Sequence, residues 1–277
     1  MRRRRYRTAY RHVVQSAETL PVPGPGEHVC WLVHARDEYV RGQRALIADG
    51  TSAGDNILII GAWNGSRTRT GSGAVATFDP RGIQERGQAA VLRAVRRAER
   101  AAGREGRALR VLAQMEAIAA PGEALEDLVA RELRFGELTS GGVVSVVCAY
   151  RQDAWDATVL GDLTAVHPRH VGASQPSVGF RMTYAGPGCW ALRGAIDFDG
   201  IRAFAAVLRA SMARTGQVRL LCHELDLMDA AALRTLVEAV HETPGGAVRV
   251  EGANDTVLKA WQLSGYGAMD VRVRVEP

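Results

Sequence analysis

Histidine, cysteine and tyrosine side chains recur on two apolar segments in the first half of the sequence. His28 and Cys30 are two residues apart in HVCWLV (28–33), and Cys148 and Tyr150 are two apart in GGVVSVVCAY (141–150). Alternate residues of a strand face the same side of a sheet, so each pair shares a face if both segments are strands. Imidazole, thiol and phenol groups on one face can bind a polar ligand, hold a metal ion or support a nucleophile.

Three further candidates lie at the ends of predicted elements. His34 follows the first apolar segment, Glu116 follows ALRVLAQM (108–115), and His167 ends a predicted helix before Pro168. Ligands of open α/β sheets bind outside the carboxyl ends of the strands, where His34, Glu116 and Tyr150 are expected. The sequence therefore predicts a small-molecule site. Its predicted residues are His28, Cys30, His34, Glu116, Cys148, Tyr150 and His167.

Other interpretations of these residues stay open. A buried cysteine is usually a small apolar residue, and a strand histidine is often a hydrogen-bonded core residue. His28, Cys30, Cys148 and His167 could hold zinc or iron, but their spacing matches no compact zinc motif. Cysteine-dependent covalent catalysis is a further alternative. We expect a small-molecule ligand, no cofactor, no metal and no enzymatic activity.

Alternating apolar and amphipathic segments must position these residues. NILIIGA (56–62) is a continuous β-branched and leucine run, typical of a strand buried on both faces of a parallel sheet. Helices are predicted at Asp37–Asp49, ending at Gly50, and at 81–103, Glu123–Phe135 and Trp155–Val166. The alternation predicts an α/β domain with an open, mainly parallel sheet.

A second domain is predicted after SQPSVGF (174–180). Two strands joined by Gly186-Pro187-Gly188 begin it, and the order continues as β-β-α-β-α-β-α-β. The predicted organisation is a tail and linker at 1–24, a first α/β domain at 25–172 and a second at 173–277.

The net charge of +5 is concentrated at the amino terminus. Six arginines lie within the first 12 residues with no acid among them, and without them 29 basic residues face 30 acidic ones. We therefore expect a disordered basic tail rather than a nucleic-acid-binding face, with tail-mediated binding as the alternative. With no apolar run of about 18 residues and no secretory h-region, we expect no membrane span and a cytoplasmic protein with reduced thiols. The sequence is compatible with a homo-oligomer.

The second domain carries LRGAIDF (192–198), LDLMDAAALRTLVEA (225–239) and VLKAWQLSGY (257–266). On these residues it resembles the STAS domain of anti-sigma-factor antagonists. The resemblance implies docking to an anti-sigma factor of the histidine-kinase-like ATPase type. The implied contact residues are Met228, Asp229, Ala230, Ala231 and Ala232. Phosphorylatable members have a serine where this chain has Ala231, so we expect no phosphorylation switch there. Asp229 is also expected to cap the following helix.

The first domain resembles the MEDS sensory domain. The resemblance rests on H-x-C-x-L at 28–32, the strand ILIIGA, RVLAQME (110–116), an acidic helix with Glu132, VVCAY (146–150) and a helix ending in HP (167–168). It implies a degenerate RecA-like fold. No G-x-x-x-x-G-K-[ST] follows HVCWLV, so we expect ATP hydrolysis to be lost.

Together these features predict a non-enzymatic signalling protein in which a small-molecule sensor is joined to a partner-docking domain. The alternatives are a ligand-binding module of a different signalling assembly, and a Cys/His-dependent enzyme on a degenerate ATPase fold.

Overall fold

A six-stranded parallel sheet forms the first domain. The computed structural model describes residues 20, 22–61, 75–78, 88–119, 122–172, 178–269 and 272–277. The strands of this sheet are β1 (His28–Val33), β2 (Asn56–Ile60), β3 (Val75–Phe78), β4 (Leu109–Gln114), β5 (Val144–Arg151) and β6 (Arg169–Val171). They run in the order β3-β2-β4-β5-β1-β6, with every pairing parallel. The predicted parallel α/β fold is confirmed, and β3 and β6 were not predicted.

Helices cover both faces of this sheet. They are α1 (Arg36–Ala53), α2 (Gln88–Arg104), α3 (Leu125–Thr139) and α4 (Ala157–Leu163), the last followed by a 3₁₀ turn at Thr164–Val166. Tyr39 and Leu46 of α1 pack on one face of the sheet, while α2 and α3 contribute to the apolar core on the other. The site is built on the face that α3 covers.

The prediction that the first helix ends at Gly50 was wrong, because α1 continues to Ala53. The helix ends where Gly54 takes a left-handed conformation at φ 77°. A Cβ at Gly42 would lie 2.2 Å from the ring of Trp31, and one at Gly50 would lie 3.1 Å from Ile57. The interior glycines therefore reflect close approach of α1 to the sheet rather than a helix end.

A five-stranded mixed sheet forms the second domain, in the predicted order of elements. Its strands are β7 (Phe180–Gly186), β8 (Cys189–Ile196), β9 (Gln217–Met228), β10 (Ala247–Glu251) and β11 (Val273–Val275), and its helices are α5 (Ile201–Thr215), α6 (Ala230–Glu242) and α7 (Asp255–Ser264). The sheet order is β11-β10-β9-β8-β7. Only the β7–β8 pairing is antiparallel among the described strands.

The two domains share one apolar core. Leu128 and Phe135 of α3 belong to the same buried cluster as Phe204 and Val207 of α5. Three ion pairs surround this contact, each with an acid on the first domain and an arginine on α5. They are Glu137–Arg214 at 2.5 Å, Asp162–Arg202 at 2.5 Å and Glu126–Arg209 at 4.0 Å. The position of α3 is therefore tied to that of α5.

Most of the predicted tail lies outside the described residues, as does the glycine-rich segment after Gly61. Leu20 is described, and it packs in the apolar cluster beneath α1. All four cysteines are buried free thiols. None of the helices within the described residues combines the length and apolar character needed to cross a membrane.

Candidate functional site

Five polar side chains meet between the first sheet and the helix that covers it. We call them the buried polar cluster, and each has at most 1% of its surface exposed. The members are His28 of β1, Glu132 of α3, Cys148 and Tyr150 of β5, and His167 after the 3₁₀ turn.

The strand register explains how two segments far apart in sequence meet here. β1 and β5 are parallel neighbours, with His28 opposite Val146 and Cys30 opposite Cys148. Residues at alternate positions of both strands face the same side. α3 lies over that side and directs Glu132 onto the strands, four residues after the buried Leu128.

The carboxylate of Glu132 is the centre of the cluster. Its Oε2 lies 3.0 Å from His28 Nε2, 3.1 Å from Cys148 Sγ and 3.1 Å from His167 Nε2. The hydroxyl of Tyr150 donates to Oε1. Cys148 Sγ is also 3.4 Å from His28 Nε2. One carboxylate oxygen thus faces two imidazole nitrogens and a thiol.

The outer nitrogens of the two imidazoles differ. His167 Nδ1 is 2.8 Å from the carbonyl oxygen of Leu163, which only accepts hydrogen bonds, so this nitrogen carries the hydrogen. Within the described part of the chain, the buried His28 Nδ1 has no hydrogen-bond partner. It lies near Gly136, where a Cβ would be 3.7 Å away.

Burial and mutual contact set the ionisation of the cluster. Burial alone raises the pKa of Glu132, but the attraction of His167 and the hydrogen bonds of the two histidines hold that pKa well below its usual range. Burial, reinforced by His167, lowers the pKa of His28 to about 4. Burial and the charge of Glu132 raise the pKa of both the Cys148 thiol and the Tyr150 phenol well above their usual values. Glu132 is therefore the ionised acid at the centre, beside a protonated thiol and phenol.

Four of the seven predicted ligand-binding residues meet in this cluster, and three lie outside it. Cys30, on the same strand as His28, is buried in the apolar core. His34 is exposed and lies 3.3 Å from Gln152 Nε2. Glu116 accepts from the backbone N–H of Arg151 at 2.6 Å and from Trp155 Nε1 at 2.7 Å.

Glu132 was not among the predicted site residues, although the sequence carries a signal for it. It occupies the buried stripe of α3 together with Leu128, Val129 and Leu133. An ionisable residue on the apolar stripe of a helix requires a buried partner.

A cleft between the domains reaches the cluster. Its volume is about 260 Å³, and His28 and Gly136 line it on the side of the first domain. Arg181, Thr183 and Tyr184 of β7 line it on the other side. His28 is thus the cluster residue nearest to an opening.

The second predicted contact site is the start of α6, which we call the exposed helix start. The side chain of Asp229 accepts from Ala232 N at 2.8 Å, which confirms the predicted N-cap. Ala230 and Ala231 are exposed, whereas Met228 and Ala232 are buried.

An exposed phenylalanine lies beside the helix start. Asp229 N donates to Ile196 O at 3.1 Å, joining the ends of β8 and β9. Phe198, two residues further on, is 83% exposed. The end of this sheet therefore presents small side chains next to an aromatic one.

This is a two-domain α/β protein. A parallel α/β domain with a buried polar cluster is joined to a mixed α/β domain with an open helix start. A family model described as MEDS, MEthanogen/methylotroph, DcmR Sensory domain, matches residues 27–168, more than half of the 277 residues. The chain belongs to this family. A STAS domain model matches residues 183–274. Both predicted resemblances are confirmed, and a sensory domain followed by a STAS domain supports a role in signalling.

Other comparisons add little to this assignment. Among solved structures, the chain is similar to one described as the anti-sigma factor antagonist SpoIIAA in its unphosphorylated form. The identity is 13%, covering 30% of this chain and 82% of that chain, with a TM-score of 0.26. No curated protein matches the chain.

Proposed function

We propose that this chain is a non-enzymatic signalling protein whose sensor domain controls docking of its STAS domain to an anti-sigma factor of the histidine-kinase-like ATPase type. One observation carries the proposal: α3 supplies Glu132 to the buried polar cluster and also packs on α5 of the STAS domain. A ligand bound at the cluster therefore acts on the helix that contacts the STAS domain.

The contacts of α3 support coupling in detail. Glu132 faces the strands, while Glu137, five residues later, pairs with Arg214 of α5. Gly136 lies between them, with its Cβ position 3.7 Å from His28 Nδ1 and 3.9 Å from Tyr184 of β7. A shift of Glu132 toward a ligand therefore changes the packing of α3 on the STAS domain. Such a ligand controls docking if it favours one interdomain arrangement.

A second cluster residue is also connected to the interface. His167 follows the 3₁₀ turn, whose residues contact β7. Asp162 of the preceding α4 lies 2.5 Å from Arg202 of α5. The two segments that carry Glu132 and His167 therefore both lie against the STAS domain.

The exposed helix start supports docking. Its small side chains allow a partner to approach the first turn of α6, and Asp229 fixes that turn. Ala230 and Ala231 carry no hydroxyl, so phosphorylation cannot regulate this surface as it does where a serine is present. Control from the sensor domain supplies the regulation that the alanines lack.

The state of Cys148 supports a non-enzymatic role. A cysteine nucleophile acts as a thiolate, whereas burial raises the pKa of this thiol well above its usual value. The side chain is also inaccessible to solvent. Both observations disfavour covalent catalysis at this position.

The test is binding of the full chain to purified anti-sigma factors of this class from the same genome, measured by calorimetry. We expect Ala231→Asp to weaken binding by tenfold or more, because it places a carboxylate in the contact. The control is Ala89→Asp, which introduces the same side chain at the second, exposed residue of α2.

Absence of binding to every such factor would contradict the anti-sigma assignment. Equal affinity of the two variants would place the interface elsewhere.

A further inference from the structure

Four atoms of the buried polar cluster have the identity and arrangement of a metal-binding site. We propose that this cluster binds a divalent transition-metal ion through His28 Nε2, Glu132 Oε2, Cys148 Sγ and His167 Nε2. These atoms all lie within 4.8 Å of one another, and all four residues are buried. The proposal deepens the proposed function, on whose sensing role it rests, by naming the ligand of the sensor domain.

The separations between the atoms are close to those around a tetrahedral ion. Zinc with bonds of about 2.0–2.3 Å keeps its ligand atoms roughly 3.3–3.8 Å apart. The distances from Glu132 Oε2 are 3.0, 3.1 and 3.1 Å, and the distance from Cys148 Sγ to His28 Nε2 is 3.4 Å. The atoms around Glu132 Oε2 would have to move slightly apart to admit an ion at their centre.

The donor set identifies the class of ion. Imidazole and thiolate ligands suit zinc, cobalt and iron, whereas magnesium and calcium prefer sites made only of oxygen. Two of the ligand side chains are held by hydrogen bonds to atoms that do not face the ion. His167 Nδ1 is hydrogen-bonded to Leu163 O, and Glu132 Oε1 accepts a hydrogen bond from the Tyr150 hydroxyl. Such outer contacts orient the ligands of metal sites.

His167 presents Nε2 to the centre of the cluster. Its Nδ1 is hydrogen-bonded to Leu163 O, and its Nε2 lies 3.1 Å from Glu132 Oε2. An ion between these two atoms would form a coordinate bond to each of them.

The charges also balance in the metal-bound state. Binding removes the proton of the Cys148 thiol and any proton on the ligating imidazole nitrogens, and these protons pass to solvent. The thiolate and the carboxylate then carry two negative charges, which a divalent ion neutralises. A neutral centre is the state that a fully buried site favours. The interdomain cleft at His28 offers a route for the ion.

The experiment is titration of chelator-treated, full-length protein with Co²⁺, followed by absorbance spectroscopy and elemental analysis. We expect one ion per chain, a thiolate-to-cobalt charge-transfer band and the intense visible bands of a tetrahedral site. Cys148→Ser should abolish the charge-transfer band, and Glu132→Gln should weaken binding by more than about 100-fold.

The matched control is Cys30→Ser. Cys30 is equally buried and lies opposite Cys148 on the adjacent strand, but it is not among the four ligands. Cys30→Ser should retain the band and the stoichiometry. A band lost with Cys30→Ser and kept with Cys148→Ser would overturn the assignment of the ligands.

The wild-type protein alone tests the proposed metal site, even where a variant fails to fold. Failure of the ion-free wild-type protein to take up Co²⁺ would overturn the metal site, as would uptake without a thiolate band. Neither readout requires a partner protein, so failure of metal binding and failure of anti-sigma docking are distinguishable.

Discussion

The buried polar cluster and the exposed helix start are built in opposite ways. The cluster joins side chains from four separate segments, all excluded from solvent, around one carboxylate. The helix start is one contiguous stretch, 228–232, with two exposed methyl groups and a single capping bond. The stability of a buried polar cluster depends on each of its members, because loss of one leaves the others without a partner. A surface of small side chains admits a binding partner because no large side chain blocks the approach. The two regions should therefore respond very differently to substitution.

The largest expected effect is loss of the central carboxylate. Glu132→Ala leaves two buried histidines, a thiol and a phenol without their common partner, and we expect about 3–5 kcal/mol less free energy of unfolding. Glu126→Ala removes a half-exposed acid of the same helix and should cost about 1 kcal/mol or less. Urea denaturation with chelator present measures both. Similar losses for the two variants would contradict the central role of Glu132.

The second effect is a pH dependence that originates in the cluster. The pKa of His28 is about 4 when folded and about 6.5 when unfolded. Between these values the unfolded chain binds a proton that the folded chain does not, so stability falls as pH decreases from 6.5 to 4. The expected loss in ion-free protein is on the order of 3 kcal/mol.

Substitution of the histidines separates this effect from general acid sensitivity. His28→Gln should flatten the dependence of unfolding free energy on pH between 6.5 and 4. His34→Gln, at an exposed histidine, should leave it unchanged. An unchanged slope in the first variant would exclude His28 as its source.

The smallest expected effect tests the connection between the two regions. If an ion at the cluster changes partner affinity, Arg214→Ala should reduce that change by about 0.5–2 kcal/mol, because it breaks the α3–α5 ion pair. Arg219→Ala breaks an ion pair with Glu251 inside the STAS domain and should leave the change intact. Partner affinity with and without Co²⁺ provides the measurement. Equal reductions would show that Arg214 has no special part in coupling.

The sequence predicted the helix start better than the cluster, for a physical reason. Asp229 and the alanines act through neighbours in sequence, so a linear motif with a strand before it specifies the cap. Glu132 acts through strands that are 16 and 104 residues away, and its role depends on the orientation of α3 over the sheet. The pairs His28/Cys30 and Cys148/Tyr150 were predictable, because alternation places the two members of each pair on one face of their strand.

The elements that the sequence missed have weak local signals. β6 is three residues long and partly exposed, and β3 has four residues with two exposed in its centre. Such strands form because a neighbouring strand offers its edge. α1 continues past Gly50, which packs close to Ile57, and local propensity does not describe such packing.

The shared core of the two domains has a consequence during synthesis. The first domain is complete by Val171, but α5, which covers the apolar side of α3, ends only at Thr215. At ribosomal rates of about 5–20 residues per second, that surface waits a few seconds for its cover. A nascent chain that stalls between these points presents an unfinished hydrophobic face to chaperones. The interval between completion of the first domain and completion of α5 is therefore a period in which the chain is prone to aggregate.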